Sequence, residues 1–489
     1  MRKKLLSWLL VLSMVVSMIP ATVLPVRAAE PKGTDTGGVT LGAITKKYDV
    51  SAQGADIEIT AGGTYELTGS STNRAVIVKT EAAVTLVLND LTMEGEKSPI
   101  QLQGSANVTL VLKTGTTNSI TCNATMVTVT HEEPRPGWTP DLDAGETEEN
   151  HPQDTVPGND GITAGIHVPE NATLTIDKVK DTVAGQLTVQ GGYGGAGIGG
   201  GAALPQYIEQ YAESGKNGNG GGNGVYKGGS AGYGGGGGTG GSGGRHGKDA
   251  EKAGSIFIHA GTLTVTGGTN AAGIGGGRGA DGEQGKDGTI GYDGTSGNGN
   301  SQSAIFVRIS GGGGGGSGGN GGNGGNGGKG GSLTALTVTG GSLTVSGGTN
   351  AAGIGGGAGG TGGNGGTGGT GGNGASGGKW YGKDNIGGYS TRWGGHGGRG
   401  SDGATGYKGV SPGGDGGKVN ITGGRVNAKG YVAVGAGRTE WPSMPTHDQN
   451  YNIGQTSGDN VGSITSGWGG AGGANQINTR PQSTADDGS

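Results

Sequence analysis

The stretch GTLTVTGGTNAAGIGGG at residues 261–277 returns as GSLTVSGGTNAAGIGGG at residues 341–357, changed only at Thr262/Ser342 and Thr266/Ser346. Weaker copies occupy 186–201 and 424–437, so the marker Ile198, Ile274, Ile354, Val434 recurs at intervals of 76, 80 and 80 residues. Each repeat joins roughly 25–30 strand-like residues to about 50 glycine-rich ones. A unit of that length with two or three short strands cannot cover its own apolar face, and it buries that face by stacking on its neighbours. The expected fold is therefore all-β: a right-handed parallel β-helix (solenoid), with a glycine-rich insertion at the same corner of three consecutive turns.

Upstream, residues 50–130 carry short β-branched, alternating runs such as 84–88 (VTLVL) and 108–112 (VTLVL), separated by Gly, Asn, Asp or Ser. A sandwich also fits that spacing; the later repeats favour the solenoid. With 126 glycines and only two phenylalanines in 489 residues, no aromatic-rich core is being built. The single cysteine, Cys122, excludes an internal disulfide framework. A net charge of −5 argues against nucleic acid as a partner.

Residues 1–29 read as a signal peptide. Arg2, Lys3 and Lys4 precede an apolar run over 5–19, and Val26, Arg27 and Ala28 end in a small residue. No second apolar run of that length occurs, so the expectation is a secreted or cell-surface-associated protein without membrane insertion. Residues 30–49 read as a linker and 438–489 as a weakly ordered tail. Residues 131–160 form an acidic, Pro-rich loop. Asp141, Asp143 and Glu146 are oxygen donors, so calcium is possible there, although their spacing does not match an EF-hand and a solvated loop is the simpler reading.

The remaining span, 161–437, is solenoid interrupted at about 202–253, 278–331 and 358–415. These insertions are phased. Glycine holds every third place from 276 to 297 and from 312 to 330, and the third and first insertions keep the same period. Three residues per turn is the polyproline-II period, at about 3.1 Å per residue. The triplet stretches contain no proline, which disfavours a collagen triple helix and favours polyglycine-II helices. Each insertion reads as an out-and-back hairpin, and three hairpins give six helices in one bundle. Segments with two glycines per triplet (312–331 and 356–374) are expected inside that bundle. The one-glycine segment 276–297 is expected outside. A disordered linker would not need such phase.

At the ends of the arms the composition changes to Tyr226, then Phe306 and Arg308, then Trp380, Tyr381, Tyr389, Arg392 and Trp393. Trp, Tyr and Arg are the usual anchors of a contact surface. Capping the bundle end against water is the competing role, and both can hold together.

The strand-rich blocks, with their Leu-Thr-Val-x-Gly-Gly repeats, resemble secreted bacterial carbohydrate-binding β-helix proteins, similar to pectin-lyase-like superhelices without the catalytic site. The arms resemble the polyglycine-II bundles of phage tail-tip adhesins. These resemblances imply an acidic or cellulosic polysaccharide, often bound with calcium, or a cell-surface receptor as partner, and an adhesin whose distal loops choose the ligand. Enzyme chemistry is not expected. Asp281, Asp287 and Asp293 align on one arm, but six residues at 3.1 Å put neighbours about 19 Å apart, too far for joint catalysis. A spacer protein of the extracellular matrix without a specific ligand is the alternative. Ice binding through Thr-x-Thr strands and polysaccharide lyase activity rank below it.

Overall fold

The computed structural model describes residues 37–130, 153–157, 161–204, 211–220, 233–296, 314–376, 379–383, 389–393, 399–410, 412–438, 449–451 and 464–465. Its body is a parallel solenoid whose strands stack into three long ladders. The first face runs through the strands Ile57–Ile59, Val76–Val78 and Ile100–Leu102, then through Ile166–His167, Ile198–Gly199, Ile274–Gly275, Ile354–Gly355 and Val434–Gly435. The second starts at Ile44–Asp49, Gly63–Thr72 and Val84–Gly95. It continues through Asn107–Leu112, Thr173–Lys178, Ala253–Ile258, Leu333–Val338 and Lys418–Ile421. The third takes the far ends of Gly63–Thr72 and Val84–Gly95. It then runs through Thr117–Cys122, Gln186–Gln190, Thr262–Thr266, Ser342–Ser346 and Arg425–Gly430. The chain visits the faces in that order, and seven complete turns lie among the described residues.

Strand alternation decides what is inside. On the first face Val76, Ile100, Ile166, Ile198, Ile274 and Ile354 lie in register, all of them buried. On the second, Leu86, Leu110, Ile176, Ile258, Val338 and Ile421 form one column. On the third, Ile120, Val189, Val265 and Val345 do the same. These columns form one continuous apolar core along the solenoid. The third face opens on a polar residue, Asn118, which is fully buried. Its oxygen accepts the Leu91 amide at 2.9 Å and its nitrogen donates to the Gln186 carbonyl at 3.1 Å, so the buried group is satisfied.

The three glycine-rich insertions all leave from the corner between the first and second faces, as expected. Each follows a glycine at a left-handed φ: Gly199 at +138°, Gly275 at +137° and Gly355 at +133°. In the turn just before them, which lacks an insertion, the paired position is His167, and in the turn before that it is Gln101. The bend that launches an insertion is therefore available only to residues without a Cβ. Between the third and fourth turns another excursion contains an antiparallel hairpin of Met126–Thr130 with Gln153–Pro157. The calcium candidates Asp141, Asp143 and Glu146 lie outside the described residues, as do residues 1–36.

The described parts of the insertions form six segments: 211–220, 233–250, 276–296, 314–331, 356–376 and 399–410, taken as first to sixth. The fourth donates backbone N–H groups to the third (Gly322 to Lys286), the first (Asn320 to Lys216) and the sixth (Gly321 to Ala404). It accepts from the second (Gly241 to Asn320) and the fifth (Gly366 to Gly322). Around it the others bond in sequence: first to second, second to third, third to fifth, fifth to sixth. The fourth segment is thus central, with five neighbours.

This arrangement corrects the expected inside–outside split. The fifth segment, 356–376, lies on the rim with three neighbours, as the third does. Its two glycines per triplet have another cause. A Cβ on Gly363 would meet the Glu283 oxygen at 2.0 Å, and one on Gly362 would meet the Gly409 oxygen at 2.0 Å, so two of its three rows face a neighbour. In the third segment only one row does, at Gly282, Gly285 and Gly288 against the fourth segment. Glycine frequency follows the number of side-chain directions that are blocked, not depth in the array.

Candidate functional site

The outward positions of the third face are short and polar, and parallel register stacks them. The middle column reads Ser70, Thr92, Ser119, Thr188, Thr264, Thr344, Asn427. Thr188, Thr264 and Thr344 are exposed, while the residues between them on each strand point into the core. Flanking columns carry Gln186, Thr262 and Ser342 on one side and Thr121, Gln190 and Thr266 on the other. Strands in such a ladder repeat at about 4.8 Å, and outward residues on one strand stand about 6.6 Å apart. The result is a regular grid of hydroxyl and amide groups, each able to donate and to accept. Charge enters only at the ends, at Glu94 and at Arg425 and Lys429.

The isolated Thr-x-Thr copies of the sequence are therefore rungs of one surface. The 80-residue repeat carried that signal for Thr264 and Thr344. Nothing in the local sequence linked them to Ser119 or Thr92, which sit in turns without the repeat.

No described contact brings together arm-end candidates of different insertions; within the third insertion strand pairing does. Tyr226, Phe306 and Arg308 lie outside the described residues. In the third insertion, Lys379–Lys383 and Tyr389–Trp393 pair as antiparallel strands, with Trp380 opposite Arg392, Lys379 opposite Trp393 and Lys383 opposite Tyr389.

Acidic residues on the array have a structural duty. Asp281, Asp287 and Asp293 accept the backbone amides of Thr361, Thr367 and Asn373 on the neighbouring segment, each across 80 residues. Asn217 does the same for Gly240, and Asp402 for Gly371. Rim amides that no further segment can satisfy are capped by side chains. Among the described residues no group of three or more His, Cys, Asp or Glu could hold a metal ion.

Two charged positions stand out at the first turns and at the array's root. Glu66, almost fully buried, meets Lys47 at 2.9 Å and Lys113 at 3.1 Å. The Lys47 hydrogen bond holds its carboxyl below the usual range, while burial pulls the other way and Lys113 adds to the lowering. Arg278 packs its guanidinium 5.7 Å from the Tyr193 ring and pairs with Asp281. Burial raises the Tyr193 phenol, against the opposing pull of Arg278.

A family model described as carbohydrate-binding domain-containing protein matches residues 53–137. The matched stretch holds the first three turns of the solenoid, including Ser70, Thr92 and Ser119 of the polar column. No curated protein and no solved structure matches the chain.

Proposed function

We propose that this chain is an exported, non-catalytic polysaccharide-binding protein of adhesin type, and that the grid on the third face of its solenoid is the primary binding surface. One observation carries the reading. The polar column begins inside the segment similar to the carbohydrate-binding family and continues in register through every later turn. A sugar polymer offers hydroxyls at regular intervals, and a surface of Thr, Ser, Gln and Asn can meet each one as donor or acceptor. Its regular spacing suits an ordered, multi-chain polysaccharide. Calcium has no role in this reading.

In the same proposal the six glycine-rich segments are polyglycine-II helices forming a stiff projection. Every third backbone amide reaches a neighbouring segment, which supports a threefold helix, and the segments bond both to parallel and to antiparallel neighbours. The aromatic ends of the arms are then set away from the solenoid as a second point of contact with a receptor. A spacer without ligand is favoured by the array alone, and the two readings part in a single measurement.

That measurement is a co-sedimentation assay with insoluble cellulose and insoluble β-1,4-mannan, using the full chain and a Thr188→Val, Thr264→Val, Thr344→Val variant. Valine keeps the shape and strand preference while removing three hydroxyls. At about 1 kcal/mol per lost hydrogen bond, affinity falls roughly a hundredfold. Binding that is absent in the parent favours the spacer. Binding that is unchanged in the variant removes the third face from the role.

A further inference from the structure

The fourth segment has six lateral directions and five neighbours. Its three N–H rows donate to the third, first and sixth segments, and two of its carbonyl rows accept from the second and fifth. The remaining row, the carbonyls of Gly318, Gly321, Gly324 and Gly327, receives no hydrogen bond from any described residue, although these glycines are buried. Donor and acceptor directions alternate around the segment, so this row faces the side left open between the first segment (211–220) and the sixth (399–410).

The side chains of the fourth segment fit that opening. Two of its three rows are glycine because a Cβ would meet a neighbour's carbonyl: Gly321 against Gly366 at 1.9 Å, Gly322 against Ser242 at 2.1 Å. The third row, Ser317, Asn320, Asn323 and Asn326, is the only one that carries side chains before Lys329. The Asn oxygens accept the amides of Ala404 at 2.9 Å, Tyr407 at 2.9 Å and Val410 at 3.0 Å on the sixth segment. Those bonds fix the amide orientation, since an N–H must meet oxygen. Each Asn Nδ2 is therefore turned away from the sixth segment, and no described residue accepts from it.

The result is a trough floored by alternating unused acceptors and donors. From Ser317 to Asn326 it runs about 28 Å, with amides every ~9 Å. One wall holds Tyr407, 80% exposed. The first segment, on the other side, carries the exposed residues Glu213 and Lys216, of opposite charge. The Asn side chains are half-buried, but the glycines of the carbonyl row are buried, and a buried acceptor without a donor is costly unless something hydrogen-bonds to it. A seventh glycine thread is excluded at lattice distance, because the Asn side chains occupy the room it would need.

We propose that this trough is a second binding groove, distinct from the solenoid face, that takes a single extended chain of a neutral polysaccharide. Sugar hydroxyls would donate to the Gly318, Gly321 and Gly324 carbonyls and accept from the Asn320 and Asn323 amides, with the Tyr407 ring alongside. The assignment of a sugar rests on the carbohydrate reading above; the groove itself rests on the hydrogen-bond pattern.

The experiment is isothermal titration of the full chain with soluble hexasaccharides of β-1,4-glucan, β-1,3-glucan and β-1,4-mannan. Asn320→Asp with Asn323→Asp keeps the oxygen that caps Ala404 and Tyr407 while removing the donors. Tyr407→Ser removes the wall and leaves the backbone amide in place. At least one hexasaccharide should bind the parent, and each variant should bind it tenfold or more weakly, while co-sedimentation with insoluble polymer through the third face is unchanged. Amide exchange at Ala404 and Tyr407 checks that the array is intact; if the Asp pair disturbs it, the Tyr407→Ser result decides alone. The proposal is overturned if no hexasaccharide binds at millimolar concentration, if Tyr407→Ser binds as the parent does, or if Thr188→Val, Thr264→Val, Thr344→Val abolishes hexasaccharide binding. The last outcome would leave the solenoid reading standing.

Discussion

Gly322→Ala gives the most direct measure of why the array needs glycine. A Cβ built there would lie 2.1 Å from the Ser242 oxygen, 2.4 Å from the Ser242 carbonyl carbon and 2.7 Å from the Gly241 oxygen. Ordinary contact begins near 3.5 Å, so the second segment must retreat by about 1 Å or more. Overpacking of this kind costs about 1–3 kcal/mol. The retreat also stretches the bonds that flank Ser242, from Gly241 to Asn320 and from Gly244 to Asn323, both 2.8 Å, at about 1 kcal/mol each. The sum is about 3–5 kcal/mol, with less than 1 kcal/mol returned by the stiffer unfolded chain. Gly220→Ala is the matched control, since its Cβ would find only the Gly235 oxygen at 3.6 Å. Native-state amide exchange, which reads local opening segment by segment, is the suitable assay. Protection at Gly238, Gly241 and Gly244 should fall a hundredfold or more in Gly322→Ala and hold in Gly220→Ala. Equal protection in both variants would refute close packing as the reason for the triplets.

Other perturbations separate the remaining forces. Asp287→Ala should uncap the Thr367 amide and raise its exchange rate by about fivefold, near 1 kcal/mol, whereas Asp287→Asn retains an acceptor and should not. Ile274→Ala deletes a fully buried member of the first-face column and should lower the solenoid's unfolding free energy by about 2–5 kcal/mol in a denaturant titration. Glu66 has a lowered carboxyl pKa, so its contribution is present above its ordinary value of 4.5 and is lost as pH falls through the depressed folded value; Glu66→Gln should flatten that acid limb of the stability–pH curve. Burial raises the Cys122 thiol, so iodoacetamide at pH 8 should leave it intact in the folded chain and modify it fully in denaturant.

The solenoid was legible in the sequence because its repeat and its register are the same interval. Thr264 pairs with Thr344 and Ile274 with Ile354, each across the 80 residues that separate the copies. The corner that carries the insertions followed from the same spacing. What local pattern did not reveal was position within the array. Counting glycines per triplet separates blocked from open side-chain directions, but a rim segment such as 356–376 has two blocked rows just as the central one does. Only the pattern of partners distinguishes them. The caps were also hidden: Asp281, Asp287 and Asp293 look like a carboxylate row along one arm, and their duty appears only when the adjoining amides are placed beside them. The arm-end aromatics were conspicuous by rarity alone, which says nothing of geometry.

The two bodies of this chain satisfy backbone polar groups by the same means and pack by opposite ones. In the solenoid, ladder bonds run between turns and the side chains fill the centre, so Val, Leu and Ile columns set the stability. In the array, the bonds run between segments and the centre has no room for side chains, so almost nothing apolar is buried; its cohesion rests on hydrogen bonds worth about 1 kcal/mol each and on close contact. Such an array is weak unless its segments are held in phase. Three consecutive turns supply that phase, because Gly199, Gly275 and Gly355 stand in direct register on the first face and launch each insertion from the same height on its turn. The strand register thereby sets the register of the glycine triplets. A slip of one residue between two turns would bring a side-chain row against a carbonyl row along the whole length of a segment. It follows that a single-residue insertion between Gly275 and Gly279 should disorganise all six segments while leaving the solenoid folded. The same insertion next to Asn298, beyond the described part of the third segment, should leave both intact. Paired exchange profiles of the two variants would test whether the solenoid serves as the template for the array; identical profiles would mean that the segments find their phase without it.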